Sequence, residues 1–369
     1  MGGPLRILHV VVNMNRGGAE TLIMNLYRNI DKTKVQFDFL TCKEGVFDSE
    51  ILRMGGKVYR IPYITDVGHF KYIKELKGFF KENKHYKIVH SHMDKMSGFV
   101  LREAKKAGIP IRISHSHNTS SEGGIISKIY KWYAGNYILT TATDLFACSD
   151  YAAKWLFKMK SSEAKIIKNG IESGQFIYSM KSRNKIRQEL NIDEDKFVLG
   201  HVGRFNHQKN HNFLIDIFTK FNEVNNESVL LLIGDGPLRS TIEKKVIQLN
   251  IQDKVKFIGI RNDINQILQG LDVFVFPSLH EGLPVSLIEA QGAGLPCFIS
   301  ENISKEVDLG GNLVHFLPLD KEDQWLKKIV EIDSTKPSRK LMSTVLKEQG
   351  YDIEDTVEII VKYYLSKSG

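Results

Sequence analysis

Short apolar runs separated by longer amphipathic stretches recur along the chain. The most continuous run is 273–276, Val-Phe-Val-Phe. β-Branched and aromatic residues without a polar interruption read as a strand buried on both faces. A loop over 277–282 follows, then Pro284, a residue type favoured at the first helical position, where its missing N–H costs little. Leu287, Ile288 and Gln291 continue the helix, and Gly292 to Pro296 stops it. A further strand begins at 297–300. The same alternation runs upstream. Strand-like runs stand at 5–12, 37–42, 57–61, 88–90, 111–115 and 145–148, and again at 197–202, 229–233 and 256–260. Helical patterns fill the gaps, as with Leu22, Leu26 and Ile30. This alternation predicts parallel sheets with helices on both faces. Past Cys297 the pattern thins, until Val357, Ile360, Val361 and Tyr364 mark a last helix over 355–365.

Two helical patterns carry more than one reading. Within 70–87, Phe70, Ile73, Leu76 and Phe80 form one stripe, and Lys71, Lys74, Lys77, Lys81 and Lys84 form its neighbour. A sheet-covering helix with a solvated lysine face accounts for the apolar stripe; the lysines could still touch anionic lipid. Over 125–138, Ile125, Ile126, Ile129, Trp132 and Tyr133 alternate with Lys128 and Lys131. Core packing and an acceptor entrance are both open there. The polar residues 173–182 read as a linker, followed by a short helix over 183–190.

A chain of 369 residues suits two or three domains with a large core, so stability requires neither disulfide nor metal. Cys42, Cys148 and Cys297 are isolated, without metal-site spacing, and argue for a reducing cytosol. The opening apolar run is too short for a span and lacks a cleavage pattern, so the expected location is cytoplasmic. Charge is uneven. Residues 1–172 hold 27 Lys+Arg against 16 Asp+Glu, a surplus of 11, while the remainder is slightly acidic. A basic half attracts nucleic acid, anionic lipid or a phosphorylated acceptor. No nucleic-acid-binding motif accompanies it, so lipid or phosphate leads.

Candidate chemistry gathers at strand ends, where open α/β sheets bind ligands. Glu281 and Glu289 could suggest a glycosidase pair. Eight helical residues rise about 12 Å, beyond the roughly 5–9.5 Å such pairs need, so each carboxylate has its own task. Glu281 precedes the helix; Glu289 lies on it, placed to accept from ribose hydroxyls. One solvated and one capping Glu is the bland alternative. After the 197–202 strand, Arg204 offers a fork and Lys209 a point charge, which together fit a diphosphate. After the first strand, Gly17 and Gly18 open a helix, where backbone N–H groups can approach a ligand closely, though an ordinary tight turn fits equally. The spacing is not that of a dinucleotide fingerprint.

Glu281-Gly-Leu-Pro-Val-Ser-Leu-Ile-Glu289 resembles the E-x7-E signature of glycosyltransferase family 4, the retaining nucleotide-sugar transferases of GT-B fold. Gly17-Gly-Ala-Glu20 after the first strand, the 144–149 segment and the Asn169-Gly170 turn are similar to family features, and the resemblance runs from Leu5 to about Leu365. It implies an α/β fold of two Rossmann-like domains with parallel sheets facing across a cleft: residues 1–172 on the acceptor side, joined by a returning helix over 353–369, and 173–352 for the nucleotide sugar. It places His117 beside the donor sugar, with Asn118 next to it and His92 a weaker candidate. It assigns Ile260 and Arg261 to the nucleotide base, and Gly17 and Gly18 to the cleft loop. Arg204, Lys209 and the Gly282 and Leu283 amides would stabilise the leaving diphosphate beside Glu281. No Asp-x-Asp motif stands at the cleft segments, so no essential metal and no cofactor are expected.

The expected reaction is transfer of a sugar from a nucleoside diphosphate, UDP by preference, to a hydroxyl of a lipid-linked saccharide in bacterial surface-polysaccharide synthesis, with retention. Two alternatives remain at this level: a nucleotide-sugar epimerase of the same fold, and a non-catalytic nucleotide-sugar-binding component of an assembly complex. The expected partners are the donor, the acceptor and an anionic membrane surface touched peripherally at its inner face; nucleic acid is not among them.

Overall fold

The computed structural model describes residues 3–121 and 123–367. The chain divides into two units, Met1–Gly170 with Asp352–Gly369, and Ile171–Tyr351.

The N-terminal unit is built on seven parallel strands: β1 (Leu5–Val10), β2 (Val35–Thr41), β3 (Val58–Arg60), β4 (Ile88–Ser91), β5 (Ile111–Ser116), β6 (Asp144–Ala147) and β7 (Lys165–Ile166). Their order is β3-β2-β1-β4-β5-β6-β7, so the strand order reverses between β1 and β4. Register puts His9 opposite His90, and His90 opposite Ile113. One core gathers Ile7, Phe37, Phe39 and Phe146 with Ile360, Tyr363 and Tyr364 of the Ile353–Ser366 helix. Burial of that apolar stripe, rather than sequence proximity, ties the chain's last helix to its first strands.

The C-terminal unit has six parallel strands: β8 (Phe197–Val202), β9 (Ser228–Ile233), β10 (Val255–Gly259), β11 (Val273–Phe276), β12 (Cys297–Ser300) and β13 (Val314–Leu317), ordered β10-β9-β8-β11-β12-β13. The order reverses between β8 and β11, and ligands of such sheets bind outside the carboxyl ends at that point. Strands β7 and β13 lie outside the sequence expectation. Both are short edge strands, and β13 mixes His315 among apolar residues and stays half-buried. A half-covered edge does not need a continuous apolar run.

Several expectations need correction. The helix after β11 spans Val285–Gly292, with Pro284 as its extended cap rather than its first residue. Residues 173–182 are not a plain linker: Ser173–Phe176 form a single turn with Phe176 buried, and a helix starts at Met180, where the Ser179 hydroxyl accepts from the Ser182 N–H at 3.4 Å. In the Ile64–Glu82 helix, Gly68 takes φ 76°, which breaks the helical phase. Phe70 therefore leaves the predicted stripe and is 88% exposed, and Tyr72, Leu76, Phe79 and Phe80 form the buried face. The Ile125–Gly135 helix turns its apolar residues outward: Ile126 is 85% exposed, and Ala134 is its one fully covered residue.

Candidate active site

In the C-terminal unit the predicted residues lie on loops that leave the carboxyl ends of β8, β10 and β11. The loop after β8 is shaped by Asn206, whose side-chain oxygen accepts from the Lys209 N–H at 3.1 Å, and by Asn210 in the left-handed region (φ 54°). Gln208 clamps it to the loop after β11. Its side-chain amide donates to the His280 carbonyl at 2.8 Å, and its own carbonyl accepts from the Leu279 N–H at 2.8 Å. Backbone packs directly on backbone behind it: a Cβ on Gly234 would stand 2.1 Å from the Gly203 oxygen, so the turn after β9 requires glycine.

This clamp brings together two residues that are 72 apart in sequence. Lys209 Nζ lies 2.7 Å from Glu281 Oε1 and 4.4 Å from the centre of the Phe276 ring. Both side chains are largely buried, so the pair has little water to screen it. The Arg204 carbonyl accepts from the Asn206 N–H at 2.7 Å, while its exposed guanidinium has no hydrogen bond or ion pair among the described residues. Gly282 and Leu283 are buried and lead into the Val285–Gly292 helix, which has no side-chain cap and so keeps a positive end. Glu289 is half-buried on that helix; desolvation pushes its carboxyl up to about 7. Ile260 is 53% exposed just beyond β10. Arg261 is engaged by two carboxylates, Asp263 of its own turn at 2.6 Å and Glu189 at the end of the Met180–Glu189 helix at 2.6 Å, so its guanidinium ties the turn to that helix.

In the N-terminal unit Gly17 caps the Gly18–Asn29 helix, again without a side-chain cap. The space left by the missing Cβ of Gly17 is taken by the Glu20 carboxylate, 2.3 Å from where that Cβ would stand, whereas Gly18 borders open space. Burial, with a smaller contribution from Asp94, raises the Glu20 carboxyl to about 7.

His117 is not alone. Five histidines from β1, β4, β5 and the residues just past them form two hydrogen-bonded rows. In one, His9 Nδ1 lies 3.0 Å from His92 Nε2, and His92 Nδ1 lies 2.8 Å from His117 Nε2. In the other, Tyr364 Oη lies 2.6 Å from His90 Nδ1, and His90 Nε2 lies 3.1 Å from His115 Nδ1. The rings stack across the rows, His115 on His117 with centroids 4.1 Å apart and His90 on His92 at 4.2 Å. Desolvation keeps all five neutral, His9 and His117 down to about 3. Three of these residues, His9, His90 and His115, were not singled out from sequence. The signal was present in the repeated His-x-His at the ends of β4 and β5.

Comparison with known proteins fits this geometry. Residues 16–175 match the family described as Glycosyltransferase Family 4, and residues 182–331 match Glycosyl transferases group 1. A Bacillus subtilis (strain 168) protein that carries the name glycosyltransferase EpsF is 38% identical over 97% of this chain and 96% of its own length. The chain belongs to glycosyltransferase family 4. An Escherichia coli relative, named UDP-Gal:alpha-D-GlcNAc-diphosphoundecaprenol alpha-1,3-galactosyltransferase, is 27% identical over 89% of this chain and 86% of its own. Among solved structures, Anabaena HepE in complex with UDP and glucose superposes with a TM-score of 0.81 at 18% identity, covering 98% of this chain and 100% of HepE. That likeness establishes the fold: the two parallel-sheet units are those of a GT-B protein. This family 4 member is thus a glycosyltransferase; a Staphylococcus aureus relative, 28% identical over 83% of this chain and 83% of its own length, carries the name capsular polysaccharide biosynthesis glycosyltransferase CapH. No helix among the described residues is long and apolar enough to cross a membrane.

Proposed function

We propose that the chain transfers a sugar from UDP to a hydroxyl of a lipid-linked saccharide, with the anomeric configuration retained. The observation that carries this reading is the Lys209–Glu281 pair, held beside the unpartnered Arg204 guanidinium at the strand-order reversal of the C-terminal unit. The bond from the anomeric carbon to the diphosphate breaks, and negative charge grows on the leaving oxygen. Lys209 and Arg204, with Gly282 and Leu283 lining the diphosphate, meet that charge where it develops. The acceptor oxygen bonds to the anomeric carbon on the face the diphosphate leaves, and a phosphate oxygen takes the acceptor proton. Two cations supply what a metal would, so transfer proceeds without an essential metal or cofactor. Glu289 accepts from the ribose. The base rests on the backbone of Ile260, with Arg261 fixing that turn through Asp263 and Glu189. UDP is favoured by HepE's UDP complexes, and a lipid-linked acceptor by the name of the Escherichia coli relative.

Incubation with a panel of nucleotide sugars, followed by proton NMR, tests this. A UDP-sugar should be hydrolysed slowly, releasing the sugar first in the donor's anomeric form. Donor isomerised without acceptor would indicate an epimerase; donor bound but never cleaved would indicate a binding component.

The acceptor's lipid also gives the outward-facing Ile125–Gly135 helix a role. Ile125, Ile126, Ile129, Trp132 and Tyr133 are exposed in one stripe, and the helix contains Lys128 and Lys131 but no acidic residue. Lys131 and Lys158 lie near enough to Lys95 to help burial lower its ammonium pKa. An apolar stripe flanked by lysines suits the headgroup boundary of an anionic bilayer, which supports a peripheral association with the inner membrane face. Sedimentation with anionic and neutral vesicles across a salt series checks this: binding should favour anionic vesicles, fall with salt and drop in Ile126→Glu. Equal, salt-insensitive partition would remove the membrane from the proposal.

A further inference from the structure

Three lysines of the N-terminal unit come together from separate stretches of chain. Lys95 is half-buried just past β4. Its stem runs over the Ile125–Gly135 helix, where a Cβ on Gly135 would stand 3.3 Å from Lys95 Cγ. Its ammonium lies 5.2 Å from the centre of the half-buried Trp155 ring, on the Asp150–Phe157 helix. Lys131 comes one helical turn before Gly135 and shares that face, and Lys158 follows Trp155 at the end of the other helix. Burial lowers the Lys95 ammonium pKa most, then Lys158 and Lys131; Asp94 opposes them with a smaller effect. Asp94 already accepts from Asn118 Nδ2 at 2.5 Å. Lys160 has Glu163 at 3.5 Å, but Lys95 and Lys158 form no ion pair among the described residues. Lys158 also takes φ 52°, a conformation that favours glycine, so a charged residue stands there at a backbone cost. Cations brought together repel, and a polyanion between them offsets that repulsion.

We propose that Lys95, Lys131 and Lys158 form a binding site for the diphosphate that joins the acceptor's sugar to its lipid. Ammonium groups are compact charges on flexible stems; they follow the tetrahedral oxygens of phosphate and lack the planar fork that suits a carboxylate. Three of them match two adjoining phosphates. Placement names the rest of the ligand. Lys131 shares its helix with Ile126, Ile129, Trp132 and Tyr133, all exposed. A saccharide carried on a lipid diphosphate has anion and hydrocarbon directly joined, and this helix offers a cation and an apolar surface side by side. Arg204 and Lys209, the cations assigned to the donor, belong to the other unit. That the diphosphate is an acceptor's rests on the transferase reading above. That these lysines take a diphosphate does not.

Inorganic pyrophosphate is the probe, added to the full chain in metal-free buffer with UDP held at saturation, so that Arg204 and Lys209 are occupied. Phosphorus NMR should show pyrophosphate bound. Its affinity should fall about ten-fold in Lys95→Gln and as much in Lys158→Gly, the loss of one charge-assisted hydrogen bond each. Glycine suits φ 52°, so Lys158→Gly serves even if Lys95→Gln fails to fold. Lys244 is an exposed lysine of the other unit, and Lys244→Gln should leave the affinity unchanged. No pyrophosphate bound beside UDP would overturn the proposal. So would an affinity that ignores Lys158→Gly, or one that falls as far in Lys244→Gln. Vesicles of phosphatidylglycerol separate the acceptor's diphosphate from ordinary anionic headgroups. Lys158→Gly should weaken pyrophosphate binding more than it weakens sedimentation with these vesicles. The reverse order would give the lysines to the membrane surface and overturn the proposal. A chain whose lysines bind pyrophosphate but which cleaves no nucleotide sugar would retire the transferase reading and leave the diphosphate site standing.

Discussion

The two units place polar side chains at the same kind of location, the carboxyl ends of parallel strands beside a reversal of strand order, and equip them in opposite ways. The C-terminal unit uses charge. Lys209 and Glu281 neutralise each other at 2.7 Å, and Arg204 stands exposed nearby on the same loop. The N-terminal unit uses neutral groups: five imidazoles hydrogen-bond to one another and to Tyr364. A diphosphate carries charge before and after transfer and needs fixed cations. A sugar has hydroxyls and is better held by uncharged donors and acceptors, which cost less to bury. Under the proposed transfer, the leaving group would belong to the charged unit and the sugar or acceptor oxygens to the neutral one, and that contrast can be broken experimentally from several sides.

The largest expected effect is acid sensitivity that is greater in the N-terminal unit. Each ladder histidine has a folded pKa below its unfolded value near 6.5. Its contribution is therefore complete above pH 6.5 and is lost as pH falls toward the folded pKa. Between pH 7 and 5.5 each such histidine costs about 1.2 kcal/mol, so five amount to at most about 6 kcal/mol. Asp38 opposes this at His9, favouring its charged form. The C-terminal unit has two comparable histidines, His201 and His211, the latter down to about 4, and a cost of about 2.5 kcal/mol by the same rule. Hydrogen exchange followed by mass spectrometry should find β1, β4 and β5 losing protection before β8 and β9 as pH drops. The reverse order would mean the ladder is not held neutral.

Second in size is Lys209→Ala. If its charge meets the leaving diphosphate, kcat should fall about 10²–10³-fold with little change in KM. A change in KM alone would make Lys209 a ground-state anchor and leave the charged group without a role in the chemical step.

How much of this was legible in the sequence follows from what periodicity encodes. Continuous apolar runs located β8, β9 and β11, and the Glu281–Glu289 stretch located the strand–loop–helix unit that carries the charged group. A stripe, however, reports which residues share a face and not what covers it. Phe70 fell out of its stripe because Gly68 resets the helical phase, and in the 125–135 helix it is Ala134, not the Ile125–Tyr133 stripe, that is covered. The histidine rows were only partly legible for another reason: the repeated His-x-His marks the ends of β4 and β5, but joining them to His9 depends on parallel register, which sets His9 opposite His90 and which no local pattern specifies. Gln291 was silent. Fully buried, it donates to the Leu287 and Val307 carbonyls and accepts from the Leu309 N–H, tying the Val285–Gly292 helix to residues 16 and 18 positions later.

Glu289 gives a smaller effect that sharpens the contrast within the charged unit. Its carboxyl, raised to about 7, is mostly protonated at pH 6 and mostly ionised at pH 8. Only the ionised form is a strong acceptor for two ribose hydroxyls. UDP affinity measured by calorimetry should rise over that interval by up to about ten-fold, the change in ionised fraction for a group of that pKa. In Glu289→Gln the rise should flatten, with affinity staying near the weaker, acid-side value. An affinity in the variant equal to that of the unsubstituted chain at pH 8 would take the ribose away from Glu289.

The smallest effect separates the two histidine rows. Tyr364 is fully buried on the Ile353–Ser366 helix, and its hydroxyl meets His90 Nδ1 at 2.6 Å, anchoring the inner row His90–His115 to the helix that returns from the end of the chain. Tyr364→Phe keeps the ring in its place among Phe37 and His9 and removes only that hydroxyl. His90 Nδ1 is left without its partner, at a cost of about 1 kcal/mol. If the inner row is scaffold and the outer row touches substrate, the urea midpoint should drop while kcat and UDP affinity stay within about two-fold of the unsubstituted chain. A large fall in kcat at unchanged stability would put Tyr364 and His90 in the reaction as well, and would mean that both rows, not the His117 row alone, reach the sugar.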